Sequence, residues 1–311
     1  MIRKYRPDVI WSTYPIATAH HIALQLHRFS GIPWVADFRD PMAQEGYPED
    51  PHVWKSFERI EQSVVRHASR MVFVTPSARS LYQARYPSVP QDHFAMIENG
   101  YDEESFVAAE RDLVRTPLNK GRFTLLHSGI VYPSDRDPSA LFDALGRMHR
   151  ARQIDAKTLR IRFRAPVHVE LLDQLAAKSG TSGLIEILPP IPYREALKEM
   201  MRADGLLVMQ GANCNQQVPA KLYEYFRARR PILGLADPAG DTAGVMRAAG
   251  VDHVGLLEDS HQVELALGGF LLQVPSGSEP LPMASQLTNM SRRARAQALA
   301  ELLDKACHRH Q

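Results

Sequence analysis

Short apolar runs alternate with amphipathic stretches along almost the whole chain, and this alternation is the strongest constraint on the fold. Runs such as DVIWSTYP (8–15) and FTLLHSG (123–129) have the length of buried strands and end in polar or turn residues. The segments between such runs have helical periodicity. Strands that alternate with helices form parallel β-α-β units. The pattern therefore predicts an α/β protein with parallel sheets.

The alternation stops once and then restarts, which predicts two domains. The expected strands are 8–15, 33–40, 70–76 and 94–100, then 123–129, 159–166, 184–190, 205–211, 231–237 and 253–259. We expect a Rossmann-like domain over 1–110, a linker over 111–122, a second Rossmann-like domain over 123–284 and a C-terminal helix over 285–311. Both domains would be doubly wound. The first would be truncated, because it has four strands where about six are usual.

Composition excludes several classes of protein. The chain of 311 residues is 44% hydrophobic and 23% charged, which is typical of a folded globular protein. Its formal net charge of +2 predicts no nucleic-acid partner. Cys214 and Cys307 lack the spacing of metal ligands and fit a reduced cytoplasm. No run has the length of a signal peptide or membrane span, and contact with the inner face of a membrane is left open.

The segment NCNQQVPAKLYEYFRARRPILGL (213–235) suggests the most specific chemistry. Pro219 suits the first position of a helix, and the positive end of a helix attracts phosphate. Lys221 adds a full positive charge there. Glu224 follows at i+3, so it can face the same side and accept hydrogen bonds from the hydroxyls of a ribose. The pair suits a nucleotide sugar, and a surface ion pair is the alternative.

The motif QVPAKLYEYFRARRPIL, which follows the strand ADGLLVMQ, resembles the donor-binding segment of bacterial glycosyltransferases of the family 4, or group 1, type. DVIWSTYP, WVADFRDP, IENGYD, HSGIVYP and DRDP occur in the order of that family, and the resemblance covers about residues 5–305. It implies the GT-B architecture, in which two Rossmann-like domains face a cleft. It also implies transfer of a sugar from a nucleotide-sugar donor to a glycan or lipid-linked acceptor in cell-surface polysaccharide synthesis, with retention of configuration and without a cofactor.

The resemblance assigns the donor to the second domain. Glu224 matches the second glutamate of the E-x7-E pattern of the family and is expected at the ribose, and Lys221 is expected at the diphosphate. Gln216 stands where the first glutamate is expected, so a catalytic role there would fall to an amide without charge. Ala165 stands where many family members have glycine. The other expected donor contacts are Gly129, Arg136, Arg164, Gln217, Val218 and Pro219, and a solvated loop charge is the alternative for Arg136.

The first domain is expected to face the acceptor. The strand end DFRDP supplies Asp37, Arg39 and Asp40, which could orient an acceptor hydroxyl or take its proton, and Asp40 is the candidate catalytic base. A turn cap is the alternative for Asp40. His20 and His21, at the start of a helix after STYP, are assigned with Arg39 to the acceptor side. Local contacts at the helix end are the alternative for both histidines.

The triplet DRD (135–137) matches the D-x-D pattern of metal-dependent glycosyltransferases. Asp137 before Pro138, however, predicts a helix cap, so we expect no metal site. Two other functions stay open. One is a non-catalytic nucleotide-sugar-binding remnant, which would follow if residues before strand 8–15 are missing. The other is a sugar-nucleotide epimerase of the same architecture.

Overall fold

The structure, a computed structural model, describes residues 2–274, 281 and 284–308. The strands of this part pair only in parallel. They are β1 Ile10–Thr13, β2 Trp34–Arg39, β3 Arg70–Phe73, β4 Phe94–Met96, β5 Phe123–Ser128, β6 Leu159–Arg164, β7 Ile185–Leu188, β8 Gly205–Met209, β9 Ile232–Leu235 and β10 Val254–Gly255. Each lies within a run that the sequence predicted to be a strand.

Most of the helices lie where the periodicity predicted them. The helices Ile2–Tyr5 and Glu103–Glu110 were not predicted, and in place of the single helix expected over 285–311 the described residues form two, Ala284–Asn289 and Arg292–His308. In chain order, the helices are α1 Ile2–Tyr5, α2 Ala17–Ser30, α3 Pro51–His67, α4 Pro76–Arg85, α5 Glu103–Glu110, α6 Ser139–Arg150, α7 Val169–Ser179, α8 Tyr193–Arg202, α9 Lys221–Ala228, α10 Asp241–Ala248, α11 Ser260–Gln273, α12 Ala284–Asn289 and α13 Arg292–His308. Short 3-10 helices occur at Gln91–His93 and Ala212–Cys214. Over the residues that the structure describes, no helix is both long enough and apolar enough to cross a membrane.

The elements form two compact units. The first comprises the residues up to Asn99 together with those from Arg293 onward, and the second comprises residues 100–292. One parallel sheet lies in each unit. Two parallel sheets flanked by helices confirm the predicted class of two Rossmann-like domains.

In the first unit the strand order β1-β2-β3-β4 follows the chain. Right-handed crossovers that advance in one direction place α2, α3 and α4 on the same face of the sheet, where they pack around Phe38 and Phe73. The opposite face is covered by α13, whose Ala306 packs against Val35 and Val72. The last helix of the chain is therefore part of the first unit.

In the second unit the strand order is β7-β6-β5-β8-β9-β10. Numbered along the chain, this is 3-2-1-4-5-6, the order of a dinucleotide-binding Rossmann sheet. The order reverses between β5 and β8, so the loops after these two strands lead to opposite faces. A ligand crevice is expected at this reversal, outside the carboxyl ends of the strands.

The polar segment 101–122, expected to close the first domain and to form a linker, lies in the second unit. Its helix α5 buries Phe106 and is held by Arg227 of α9, which donates to Glu103 (2.7 Å) and Glu110 (2.8 Å). The charges that made this segment resemble a linker are therefore partners of a residue more than a hundred positions away. That pairing is invisible in the local sequence.

Candidate functional site

The carboxyl ends of β5 and β8 lie side by side where the strand order reverses. The loops that follow them are tied together. The N–H of Gly211 donates to the carbonyl of Asp135 (2.6 Å), and the amide of Asn213 donates to the carbonyl of Ser134 (2.8 Å). A Cβ on Gly211 would lie 2.8 Å from the Asp135 carbonyl oxygen, so glycine permits this approach. The two loops form one continuous rim, which we call the β5–β8 rim.

Lys221 is the first residue of α9, and its amino group points to the end of β5. Its Nζ lies 3.3 Å from Nε2 of His127, and a Cβ built on Gly129 would lie 3.0 Å from it. Gly129 has a φ of 108°, in a region that residues with side chains disfavour. Burial, followed by the positive charge of Arg136, lowers the pKa of Lys221 to about 7. The fold thus brings Lys221 and Gly129 together at the β5–β8 rim.

Arg136 lies on the same rim and is half-buried rather than solvated. Its Nη1 donates to the carbonyl of Ile130 (3.3 Å), and its guanidinium lies over the ring of Tyr132, 5.4 Å from the ring centre. Its Nε is buried and has no hydrogen-bond partner within the described part of the chain. Because the charge of Arg136 lowers the pKa of Lys221, the two cations repel each other. An anion bound at the rim would reduce this repulsion.

The carboxylate of Glu224 lies one turn further along α9 and has a different partner. Its Oε1 accepts a hydrogen bond from the hydroxyl of Tyr193 (2.8 Å). Burial raises the pKa of Glu224, although Tyr193, Arg292 and Lys221 act against this rise. Lys221 and Glu224 therefore point to different groups, and the surface ion pair considered as the alternative is not formed.

The start of α9 differs from the sequence prediction. The helix begins at Lys221, and Ala220 precedes it as the capping residue. The carbonyl of Pro219 accepts from the N–H of Leu222 (2.9 Å), so Pro219 lies in the turn before the helix. The prediction that Pro219 takes the first helical position is wrong. A short i→i+3 turn uses the proline carbonyl before the regular helix begins.

The polar loop before α9 is fixed by its backbone. The carbonyl of Gln217 accepts from the hydroxyl of Thr242 (2.9 Å), and the side chain of Val218 is buried in the core. Contacts of Gln217 and Val218 with a donor would therefore come from the main chain or from the amide of Gln217. Gln216 is half-buried in the same loop, and its catalytic assignment stays a prediction.

Arg164 occupies a buried ion-pair network rather than an open strand end. Its Nε and Nη2 donate to the two carboxylate oxygens of Glu199 (2.8 and 2.6 Å), and its Nη1 donates to the carbonyl of Pro189 (2.7 Å). Glu199 also accepts from Arg162 (2.7 Å). All three nitrogens of the Arg164 guanidinium thus donate inside the protein. Arg164 therefore has a structural role, because α8 brings Glu199 to the end of β6, and its contact with a donor stays a prediction.

A mainly apolar cavity of about 880 Å³ is lined by residues that follow β5, β6 and β7, among them Ile130, Pro166 and Pro189. Ala165 also lines it and has a φ of 53°, a left-handed conformation that glycine adopts without strain. This explains why a glycine suits the position that Ala165 occupies. Strained backbone beside a cavity is typical of ligand sites.

In the first unit, the carboxyl end of β2 holds a carboxylate whose hydrogen bonding is incomplete. Asp37 is buried, and its Oδ2 accepts from the hydroxyl of Thr13 (3.1 Å). Its Oδ1 has no hydrogen-bond partner among the described atoms. Burial raises the pKa of Asp37 and of the following Asp40. Carboxyl groups with raised pKa values are typical of proton-transfer sites.

Arg39 lies between these carboxylates in a left-handed conformation, with a φ of 53°. The register between β2 and β3 shifts at this point, so the strand bulges. The exposed side chain of Arg39 donates to Asn99 (3.1 Å). Bulges and left-handed non-glycine residues often redirect side chains at functional sites. The position of Arg39 is compatible with its expected place on the acceptor side.

The two neighbouring histidines of α2 point in different directions. His20 is wholly buried, and its Nδ1 lies 2.7 Å from the hydroxyl of Ser12. Its Nε2 has no hydrogen-bond partner among the residues that the structure describes, and its ring lies 5.2 Å from that of Phe38. Burial lowers the pKa of His20 to about 4. His21 is exposed and lines a groove beside Arg28. The expectation that both face one edge is wrong, because successive helical residues are about 100° apart.

In the triplet DRD, the prediction that Asp137 caps α6 is wrong, because Pro138 is the capping residue and Asp137 lies one position before it. Asp137 accepts from the N–H and the hydroxyl of Ser139 (2.9 and 2.6 Å) at the start of α6, and α6 begins at Ser139 rather than Pro138. Within the ranges that the structure describes, no group of three or more His, Cys, Asp or Glu side chains could hold a metal ion.

Two residues that contact the α9 side chains Lys221 and Glu224 were not identified from the sequence. His127 is a polar residue within the apolar strand FTLLHSG, directly before the glycine turn, and this interruption was an available signal. Tyr193 begins a helix after two prolines and gives no sequence signal for its contact with Glu224. The contact partners of both residues, Lys221 and Glu224, become visible only when the fold brings distant segments together.

Residues 1–100 match the family described as a glycosyl transferase 4-like domain. No curated protein matches the sequence significantly. The match covers the first unit up to the end of its sheet, and it supports the family that the motifs indicated.

Solved structures share the fold over nearly the whole chain. An α,α-trehalose 6-phosphate synthase from Burkholderia multivorans has a TM-score of 0.75 and 14% identity, over 97% of this chain and 71% of that chain. The UDP-forming α,α-trehalose-phosphate synthase from Burkholderia xenovorans, in complex with glucose-6-phosphate, has a TM-score of 0.69 and 13% identity, over 95% and 74%. UDP-GlcNAc 2-epimerase from Neisseria meningitidis, bound to UDP-GlcNAc, has a TM-score of 0.59 and 11% identity, over 98% of this chain and 78% of that chain. At these identities the likeness establishes the fold, and it confirms the predicted GT-B class.

Proposed function

We propose that the chain is a glycosyltransferase, because residues 1–100 match the family described as a glycosyl transferase 4-like domain and the fold is that of GT-B enzymes. It transfers a sugar from a nucleotide-sugar donor to a glycan or lipid-linked acceptor, with retention of configuration and without a metal or cofactor. Cell-surface polysaccharide synthesis is the role that this acceptor class suggests.

The convergence of Lys221, Gly129 and Arg136 at the β5–β8 rim is the observation that carries this proposal. The rim lies at the reversal of strand order, where Rossmann-like sheets bind nucleotides. A diphosphate there would lie against the glycine backbone and two cationic side chains. Glu224, one turn from Lys221, would exchange its hydrogen bond from Tyr193 for those of a ribose.

The apolar cavity beside Ile130 and Pro189 would receive the base of the nucleotide. Its volume of about 880 Å³ lies in the range of small-molecule pockets, which are mainly apolar with a few polar groups. With its base in the cavity, the donor would run past Arg136, and its diphosphate would reach the end of β5. The sugar would then lie beyond Lys221.

The acceptor would bind to the first unit at the end of β2. Asp40 would orient or deprotonate the acceptor hydroxyl, since burial raises its pKa towards the range in which a carboxyl exchanges protons. In the transferase step the protein mainly positions donor and acceptor. Lys221 and Arg136 would stabilise the charge that develops on the leaving diphosphate.

Donor binding is the first test of this proposal. In calorimetric titrations with a panel of nucleotide sugars, Lys221→Ala and Glu224→Ala should each weaken binding by about 10- to 100-fold, the worth of a charge-assisted hydrogen bond. The matched controls are Lys178→Ala and Glu170→Ala, which remove the same charges from exposed positions of α7. They should leave binding unchanged. Equal affinity in all four variants would refute the donor-site assignment.

Turnover separates the proposed enzyme from the two other functions. A transferase should release the nucleoside diphosphate from the donor when an acceptor is present. A binding module with Gln216 in place of a glutamate would bind the donor without release. An epimerase, favoured only by the likeness to UDP-GlcNAc 2-epimerase, would return an isomeric nucleotide sugar when no acceptor is added.

Gly129→Ala should weaken donor binding at least tenfold, because its Cβ would lie 3.0 Å from Nζ of Lys221 and displace the cation. The matched control is Gly121→Ala, which also introduces a side chain at a positive φ (77°) but has no atom within 4 Å. Both variants should lose about 1–3 kcal/mol of stability from backbone strain. Only Gly129→Ala should change the dissociation constant, and equal binding by the two variants would count against the proximity of Lys221 to the donor.

A further inference from the structure

His127 holds Lys221 through a defined tautomer. The imidazole is wholly buried in β5, and its Nδ1 lies 2.9 Å from the carbonyl oxygen of Leu207 in β8. A carbonyl oxygen only accepts, so Nδ1 carries the proton. Burial, followed by the charge of Lys221, holds the pKa of His127 well below its usual value, and the ring is neutral. Nε2 therefore has a free lone pair and accepts from Nζ of Lys221 (3.3 Å).

The amino group of Lys221 lacks a counter-ion. From β5 it faces the neutral ring of His127, and from the loop before α6 it faces the cation Arg136. From α9 it faces Glu224, whose carboxylate accepts from Tyr193 instead. The hydroxyl of Tyr225, also on α9, accepts from the N–H of Ser128. Among the described residues, none of the ion pairs includes Lys221.

An ammonium that is partly removed from water and lacks a counter-ion is destabilised unless an anion arrives or the proton leaves. We propose that His127 is a positioning residue that holds the amino group of Lys221 at the end of β5, and that binding of the donor diphosphate is coupled to the uptake of one proton by Lys221. The proton comes from solvent and converts the amine to ammonium as the diphosphate supplies the missing counter-ion. This inference rests on the proposed function in one respect, that the ligand is a nucleotide sugar.

The direction of the pH dependence follows from the free and bound states. With a pKa of about 7 in the free protein, Lys221 is mostly charged below pH 7 and mostly neutral above it. The bound diphosphate favours the charged form, so the pKa of Lys221 is higher in the complex. Donor affinity should be constant below pH 7 and fall about tenfold per pH unit above it, until the pH reaches the pKa of the complex.

Intact nucleotide sugars are the suitable probes, because the terminal phosphate of a free nucleoside diphosphate titrates near pH 6 and would mask the effect. UDP-glucose, UDP-GlcNAc and GDP-mannose are titrated first, and the tightest binder is then measured by calorimetry from pH 6 to 8.5. Buffers of different ionisation enthalpy give the number of protons taken up. We expect close to one proton at pH 8.5, and an affinity about 30-fold lower than at pH 6.

Lys221→Arg is the first matched variant, since arginine stays protonated at every pH in this range. It should bind the probe without proton uptake and with little dependence on pH. An arginine variant that reproduces the pH profile of the unmodified protein would overturn the inference. So would binding by the unmodified protein without proton uptake at pH 8.5. Either result would leave the proposed function intact. If the protein bound no nucleotide sugar at any pH, the proposed function and this inference would both be wrong.

Two amide variants separate positioning from simple packing. His127→Asn can keep a donor towards Leu207 and loses the acceptor for Lys221, whereas His127→Gln can keep the acceptor and loses the donor. If His127 positions Lys221, affinity at pH 8.5 should fall about tenfold in the asparagine variant and remain within about threefold in the glutamine variant. A purely structural role predicts the reverse order. Thermal unfolding of both variants shows which of them retains the fold.

Discussion

Glu199→Ala is expected to lower the free energy of unfolding of the second unit by about 3–5 kcal/mol, the usual effect of removing one partner from a buried ion pair. The side chain of Glu199 is 6% exposed, and those of Arg162 and Arg164 are 10% and 11% exposed. Alanine would leave two guanidinium groups buried with one carboxylate, Glu186, within reach of Arg162. Urea unfolding followed by circular dichroism measures the loss.

The control for this variant lies on the same helix. Glu195 is 51% exposed and pairs with Lys198, so Glu195→Ala should change stability by less than about 1 kcal/mol. A double variant, Arg164→Met with Glu199→Met, removes both charges while keeping volume and should recover part of the loss. Equal free energies of unfolding for Glu195→Ala and Glu199→Ala would mean that the ion pairs of Glu199 do not stabilise the second unit.

The same network should make the second unit sensitive to acid. Burial acts to raise the pKa of Glu199, but the hydrogen bonds from Arg164 and Arg162 outweigh it and hold that pKa below its usual value. A lowered folded-state pKa stabilises the fold above the unfolded value, near 4.3, and this contribution is lost as the pH falls through the folded value. Acid titration of the unfolding free energy should show this loss in the unmodified protein and not in Glu199→Ala.

Glu61→Ala should destabilise the first unit by a comparable amount, about 3–5 kcal/mol. The side chain of Glu61 is 1% exposed. It accepts from the hydroxyls of Tyr82 (2.5 Å) and Tyr86 (2.7 Å), from Arg85 (2.6 Å) and from the N–H of Ala43 (3.3 Å). Removing the carboxylate leaves these four donors without their acceptor in a low-dielectric interior.

Tryptophan fluorescence isolates this effect, because the three tryptophans of the chain, Trp11, Trp34 and Trp54, all lie in the first unit. The denaturation midpoint of the fluorescence transition should fall in Glu61→Ala. Gln62→Ala, at the next and exposed position of α3, should leave it within about 0.5 kcal/mol of the unmodified protein. An unchanged midpoint in Glu61→Ala would mean that the donors find other partners.

Glu61 also connects stability to the expected acceptor site. Ala43 and Met42 follow Asp40 in the loop after β2, and Met42 donates to the hydroxyl of Tyr82 (3.0 Å), which itself donates to Glu61. The loop that carries Asp40 is therefore held by the same network. A Glu61 variant that still folds should lose turnover together with rigidity of this loop.

The sequence by itself determined the strands, most of the helices, the parallel sheets and the place of Lys221 near the start of a helix, because periodicity and turn residues act over a few neighbouring positions. It also placed Gly129 correctly at a turn after a strand. Its errors concern contacts between distant positions. Residues 101–110 were expected in the first domain and 111–122 as a linker, whereas both lie in the second unit. The partner of the charges on α5, Arg227, is distant in sequence, so the local pattern did not reveal it.

Only the tertiary structure decided what individual polar side chains do. Arg164 meets Glu199 35 positions away, Glu224 meets Tyr193 31 positions away, and Lys221 meets His127 94 positions away. Burial, hydrogen-bond partners and pKa shifts are properties of these pairs rather than of either residue. Local sequence therefore specified the residue types near the β5–β8 rim. The strand order decided which of these side chains bond to one another and which remain available to bind a ligand.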